Sequence, residues 1–160
     1  METMTPKARQ YNTLCAQLES LLAGERDTIA NLANAAAVLY AALPELNWAG
    51  FYLVKEGALV LGPFQGKVAC VRIPFDRGVC GAAVREDRVQ RVADVHAFPT
   101  HIACDGASDS EIVLPLHYEG QVVAVLDIDS PILDRFDRED QAGLERCARI
   151  IEGACDWMRP

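Results

Sequence analysis

No stretch of this 160-residue chain stays apolar long enough to cross a bilayer as a helix. The opening METMTPKARQYNTLCAQLES holds no unbroken apolar run either, so no secretory leader is expected and a cytoplasmic location follows. Basic residues are scarce: 15 Lys and Arg stand against 23 Asp and Glu, a net charge of −8. That balance argues against nucleic acid, whose binding needs Lys and Arg to neutralise phosphates, and against adhesion to anionic membranes. Also missing are a C-x-x-C pair, an internal repeat, a low-complexity tract and a linker. The expectation is one domain over residues 1–160.

What is present suits a packed globule, with 51% hydrophobic and 24% charged residues. Two helices should open it. Leu14, Leu18, Leu21 and Leu22 form an apolar stripe within residues 5–22, behind Thr5 as cap and Pro6 in the first turn. A second, alanine-rich helix runs from about Asp27 to Leu43, and Pro44 stops it. Strands are expected at Trp48–Val54, Leu59–Phe64, Val68–Ile73 and Arg88–Val92, with a short helix at Gly78–Arg85. Residues 93–109 are mostly turn formers, and a long irregular loop inside a compact domain is often functional. Strong strands follow at Ser110–Leu116 and Val122–Asp129, then a closing helix over Phe136–Trp157 capped by Asp137. The order predicts an α+β fold, a mostly antiparallel central sheet with N-terminal and C-terminal helices packed on it.

The last two strands position charge. A three-residue loop Tyr118-Glu119-Gly120, with Gly120 in the left-handed region, sets Glu111 opposite Asp127. Asp129 lies two residues further and shares that face, so three carboxyls converge. Crowded carboxyls hold protons to higher pH, and a protonated acid can donate to a developing oxyanion. A solvated strand end with no role is the competing reading. A two-residue loop would turn Glu111 to the other face. Trp48, Gly50 and Tyr52 likewise share a strand face, where glycine leaves a gap between rings suited to a thioether methyl; two plain core aromatics are the alternative.

With a cytoplasmic location expected, six cysteines leave burial, metal binding or redox chemistry as explanations. Cys80, at the start of a helix, is the residue that local electrostatics would make reactive. Cys104, in the long loop, has the better access. Cys15, Cys147 and Cys155 fall on helices as spectators, since unreactive cysteine is usually buried. A zinc site from Cys70, Cys80, Cys104 and His101 has no familiar ligand spacing. His96 and His101 could serve a Cys-His hydrolase, but His101 has no evident orienting partner.

The segments GPFQGKVACVRIP (62–74), GVCG (78–81), DVHAFPTHIACDGASDSEIVLPL (94–116) and LDIDSP (126–131) resemble the free methionine-(R)-sulfoxide reductases, enzymes built on a GAF domain. The likeness runs over about residues 10–157. It implies a GAF-like fold and reduction of free methionine-(R)-sulfoxide. It assigns nucleophilic attack to Cys104, resolution as a Cys70–Cys104 disulfide to Cys70, and an active-site supporting role to Cys80. It places the acids holding the sulfoxide oxygen at Glu111, Asp127 and Asp129, and the aromatic wall at Trp48 and Tyr52. It further implies thioredoxin as reductant, a homodimer, and no metal or organic cofactor. Thr100 departs from the glycine expected there. A GAF sensor that binds a small ligand without reacting is the rival from another class, although it would have no need of three cysteines beside three carboxyls.

Overall fold

Side-chain caps set where the helices begin. The Thr5 hydroxyl accepts from the Ala8 amide at 3.1 Å and opens α1 (Pro6–Leu22). Asp27 accepts from Ala30 at 2.9 Å and opens α2 (Thr28–Ala42). α3 (Gly78–Glu86) ends at Asp87, which takes the left-handed conformation with φ 47°. α4 (Arg138–Ala154) is shorter than the apolar pattern predicts, because Asp137 and Asp140 form a reciprocal capping box that fixes its first turn. The computed structural model describes residues 3–102 and 106–158.

Six strands make one sheet: β1 (Trp48–Lys55), β2 (Ala58–Gly66), β3 (Arg72–Pro74), β4 (Gln90–Val92), β5 (Ser110–Tyr118) and β6 (Gln121–Ser130). Their order is β3-β2-β1-β6-β5-β4, and every neighbouring pair is antiparallel. The α+β expectation holds. β3 does not: Val68–Val71 lie in a loop, because the indole of Trp48 donates to the Lys67 carbonyl at 3.1 Å and the Tyr52 hydroxyl to that of Cys70 at 2.9 Å. Cys70 therefore sits on a loop rather than a strand. β4 starts at Gln90 rather than Arg88, after the Asp87 cap.

Period-two alternation divides the sheet into two faces. Ala49, Phe51, Leu53, Ile112, Leu114, Leu116, Ala124, Leu126 and Ile128 point to one side and pack with α1, α2 and α4. Trp48, Tyr52, Val113 and Val125 point to the other, where Val79, Cys80 and Ala83 of α3 and Ile73 cover them. Helix packing thus seals one face and leaves the second, thinner layer to hold a site. No helix among the described residues is long and apolar enough to cross a membrane.

The β5–β6 hairpin differs from expectation in an instructive way. Tyr118 pairs with Gln121, so the loop has two residues, Glu119 and Gly120, both left-handed at φ 50° and 77°. By itself that turn would send Glu111 to the helix-covered face. The register shifts between Leu116 and His117, where Val123 of β6 is the compensating extra residue, and Glu111 pairs with Asp129 while Val113 pairs with Asp127. The side-sharing of the three acids survives; the partner of Glu111 is Asp129 rather than Asp127.

Candidate active site

On the α3 side of the sheet, neighbouring strands bring the acids and aromatics together. Trp48 pairs with Asp129 and Gly50 with Asp127 across β1 and β6, so two acids stand beside the aromatic row. Together with Glu111 they line a small cavity of about 50 Å³, measured by where the centre of a water can sit. Trp48, Tyr52, Cys80, His101, Ile102 and Ser108 contribute to the rest of its wall.

The aromatic wall has a member that the sequence pattern does not disclose. Phe64 pairs with Gly50, and its ring stacks on Trp48 at 5.1 Å between centroids; Trp48 and Tyr52 stand 5.9 Å apart. A Cβ at Gly50 would lie 2.3 Å from that of Phe64 and 2.9 Å from the Pro63 carbonyl. The glycine therefore admits the neighbouring strand, and the expected gap between the rings is taken up by Phe64. A register irregularity in β2 between the partners of Gly50 and Tyr52 produces this placement, and no residue pattern announces it.

Burial dominates the electrostatics. Glu111 and Asp127 are 9% and 5% exposed, and desolvation raises both carboxyls above their ordinary range. The negative charges of Asp127 and Asp129 push Glu111 higher still. Hydrogen bonds from Glu111, Asp129 and Cys80 oppose the rise at Asp127. Both shifts favour the protonated acid, and neighbouring negative charge adds to the rise at Glu111. Asp127 Oδ1 is buried without a hydrogen-bond partner among the described residues, and Asp127 lines the cavity.

Cys80 lies in the first turn of α3, where helix position alone would favour its thiolate. Burial pushes its pKa well up, and Asp127, Glu111 and Asp129 push it further. Desolvation and three carboxyls outweigh one short helix. Cys80, Glu111 and Asp127 also offer ligand atoms within 4.8 Å of one another, a spacing that could accept a cation. A metal there would have to displace the protons this environment retains.

The remaining sulfurs sort by position. Cys70 is disulfide-bonded, which removes it from any zinc set, while Cys15, Cys80, Cys147 and Cys155 are free and buried. Cys15 and Cys147 face each other at 3.8 Å between α1 and α4, far from the acids on the opposite sheet face. Cys104 lies outside the described residues. His101 does have a neighbour: its ring centroid lies 5.8 Å from that of His96 in an edge-on arrangement, and His96 pairs with Asp109 at 3.1 Å. Burial and His96 lower the His101 pKa.

These features have close counterparts. Residues 12–155 match the GAF domain. The chain is 54% identical over 146 residues to the free methionine-R-sulfoxide reductase of Escherichia coli, covering 91% of this chain and 88% of that one. Among solved structures, the free methionine-R-sulfoxide reductase of Neisseria meningitidis in complex with its substrate superposes with a TM-score of 0.90 at 47% identity, over 96% of this chain and 93% of that one. The reduced form of fRMsr from Staphylococcus aureus gives 0.89 at 50% identity, over 96% and 99%. By sequence identity and by superposition of the fold, the chain belongs to the GAF-domain free methionine-R-sulfoxide reductase family.

Proposed function

We propose that the protein reduces free L-methionine-(R)-sulfoxide to methionine, with Cys104 as nucleophile, Cys70 as resolving cysteine and thioredoxin as the recycling reductant. The observation carrying this reading is the buried group of Glu111, Asp127 and Asp129 beside Trp48 and Tyr52 in one cavity. The Cys104 thiolate attacks the sulfoxide sulfur while protonated Glu111 donates to the oxygen. Oxygen passes to Cys104 as a sulfenic acid, and methionine, two electrons richer, departs. Cys70 displaces hydroxide, which leaves as water with a proton from the acid group, and a Cys70–Cys104 disulfide remains. Cys70 being disulfide-bonded supports its part in such a bond. Thioredoxin supplies two electrons by thiol–disulfide exchange, in a cytoplasmic setting.

Cys80 fits a supporting role: a protonated thiol hydrogen-bonded to Asp127, shaping the acid cluster rather than attacking. The small size of the cavity, and the specificity of the family, favour a free amino acid over a peptide-bound residue. Assay with separate R and S epimers and dithiothreitol tests the activity, with consumption of the R epimer expected. Single-turnover release of methionine tests the roles. Cys104→Ser should release none, and Cys70→Ser should release one equivalent and then stop. Stoichiometric release by Cys104→Ser would overturn the assignment of the nucleophile.

A further inference from the structure

We infer that the exposed segment 67–72 is the docking surface for the protein that reduces this enzyme, and that the reductant's thiolate attacks the sulfur of Cys70; the inference rests on the activity proposed above. Two apolar side chains flank Cys70 and face solvent, Val68 at 86% and Val71 at 62% exposure. Nothing in the described fold covers them. Their outward direction is imposed: the Lys67 and Cys70 carbonyls are drawn inward by Trp48 and Tyr52, and the Val71 carbonyl accepts from the Leu61 amide at 2.9 Å. The loop is anchored through its backbone on one side and shows its valines on the other.

Charge selects the kind of partner. Lys67 and Arg72 are exposed on either side of the valines, a basic pair on a chain of net charge −8. The surface suits a dithiol protein whose reactive cysteine lies in a small apolar face with acidic neighbours. It would repel another strongly basic surface, and charge complementarity aids encounter more than final affinity. A second copy of this acidic chain, presenting the same basic loop, matches it less well.

The exchange balances. A reductant thiolate attacks Cys70 Sγ and forms a mixed disulfide, while the old S–S bond breaks and its electron pair leaves on the other sulfur, Cys104 in the proposed cycle. The reductant's second thiolate then breaks the mixed disulfide. Two electrons have moved: the partner ends as a disulfide, and both enzyme sulfurs end as thiols once protonated. Attack on Cys70 leaves the nucleophilic cysteine as the departing thiolate, ready for the next sulfoxide.

The test compares two electron donors on the same protein. Val68→Asp/Val71→Asp should raise KM for thioredoxin, supplied with its reductase and NADPH, by about tenfold or more. Its rate with dithiothreitol, which needs no docking face, should stay at the parent value. Equal KM for thioredoxin in parent and variant overturns the proposal. If the aspartates also depress the dithiothreitol rate, Val68→Ser/Val71→Ser and Lys67→Glu/Arg72→Glu replace them, and unchanged thioredoxin KM in both overturns it. Thioredoxin with its second active-site cysteine changed to serine should be trapped on Cys70, as peptide mass spectrometry reads; trapping on another cysteine overturns the attack site. A dimer lost in the variants with thioredoxin KM unaltered would give the patch to a second copy and defeat the inference. Absence of dithiothreitol-driven turnover in the parent protein would instead refute the activity itself.

Discussion

Glu111 stands directly across the β5–β6 ladder from Asp129, and both side chains line the cavity roofed by α3. Two acids in register on a buried face cannot both ionise cheaply, so a proton is retained there. Its retention links stability to pH. The Glu111 pKa is raised in the fold above its ordinary 4.5, so the native state binds more protons than the unfolded chain above that pH. The contribution is complete well below that ordinary value and is lost as pH rises through the folded value.

Glu111→Gln keeps the shape and removes this titration. Urea unfolding of parent and variant across pH 4–8 should show the parent's stability falling relative to the variant's as pH rises. The same substitution should lower kcat by roughly 100-fold or more, since the amide cannot transfer the proton in the proposed step. Parallel stability curves would mean that Glu111 is not the group retaining the proton.

The β5–β6 turn makes a prediction about stability alone. Glu119 occupies the first left-handed position of a two-residue turn at φ 50°, where a side chain other than Asn or Asp is disfavoured. Glu119→Asn creates the Asn-Gly pair this turn prefers. It should stabilise by about 0.5–1 kcal/mol in urea unfolding and leave dithiothreitol-driven turnover unchanged. A loss of activity would show that the turn couples to the register of Glu111.

How much of this was readable beforehand depends on range. Thr5, Asp27 and Asp137 announce helix starts because a cap is a contact within three residues. The strands and the acid face followed from alternation. The bulge at Leu116 and His117 did not, because it exists only as a mismatch between two strands. Turn length is illegible for the same reason, and the bulge restores the expected face. Phe64 escaped notice because its contact with Trp48 depends on how β2 lies against β1. The loop holding Cys70 read as a strand because VACVRI alternates, and the competing hydrogen bonds come from Trp48 and Tyr52, far off in sequence. Cys80 shows the limit of local electrostatics: its helix position was legible, and the carboxyls that raise its pKa were not local.

Two glycines in one helix should respond to the same substitution with opposite sign. A Cβ at Gly143 would lie 2.1 Å from the Tyr11 ring, whereas one at Gly153 meets nothing within 4 Å. Tyr11 cannot easily retreat, since it is buried and donates to Asp140 at 2.8 Å. Gly143→Ala should therefore destabilise by about 1–3 kcal/mol through overpacking, beyond any gain in helix propensity. Gly153→Ala should stabilise by about 0.5–1 kcal/mol, the ordinary benefit of alanine in a helix. Equal signs in denaturant titrations would contradict the packing of α1 on α4.

Thiol labelling separates the cysteines by environment. Alkylation depends on thiolate, and burial together with Asp127, Glu111 and Asp129 holds Cys80 as the thiol. Burial raises Cys155 to about 11, and raises Cys147 further with Cys15 beside it. After reduction by dithiothreitol and its removal, brief iodoacetamide treatment at pH 7 should leave Cys15, Cys80, Cys147 and Cys155 unmodified until urea is added. Label should collect at the two remaining positions, 70 and 104. Peptide mass spectrometry reads the pattern, and rapid native labelling of Cys80 would show that its helix terminus outweighs the surrounding acids. Asp127→Asn then provides the internal control: Asp127 is the largest charge contribution holding Cys80 as the thiol, so a neutral amide there should speed labelling of Cys80 while Cys15, Cys147 and Cys155, on the other side of the sheet, keep their parent rates.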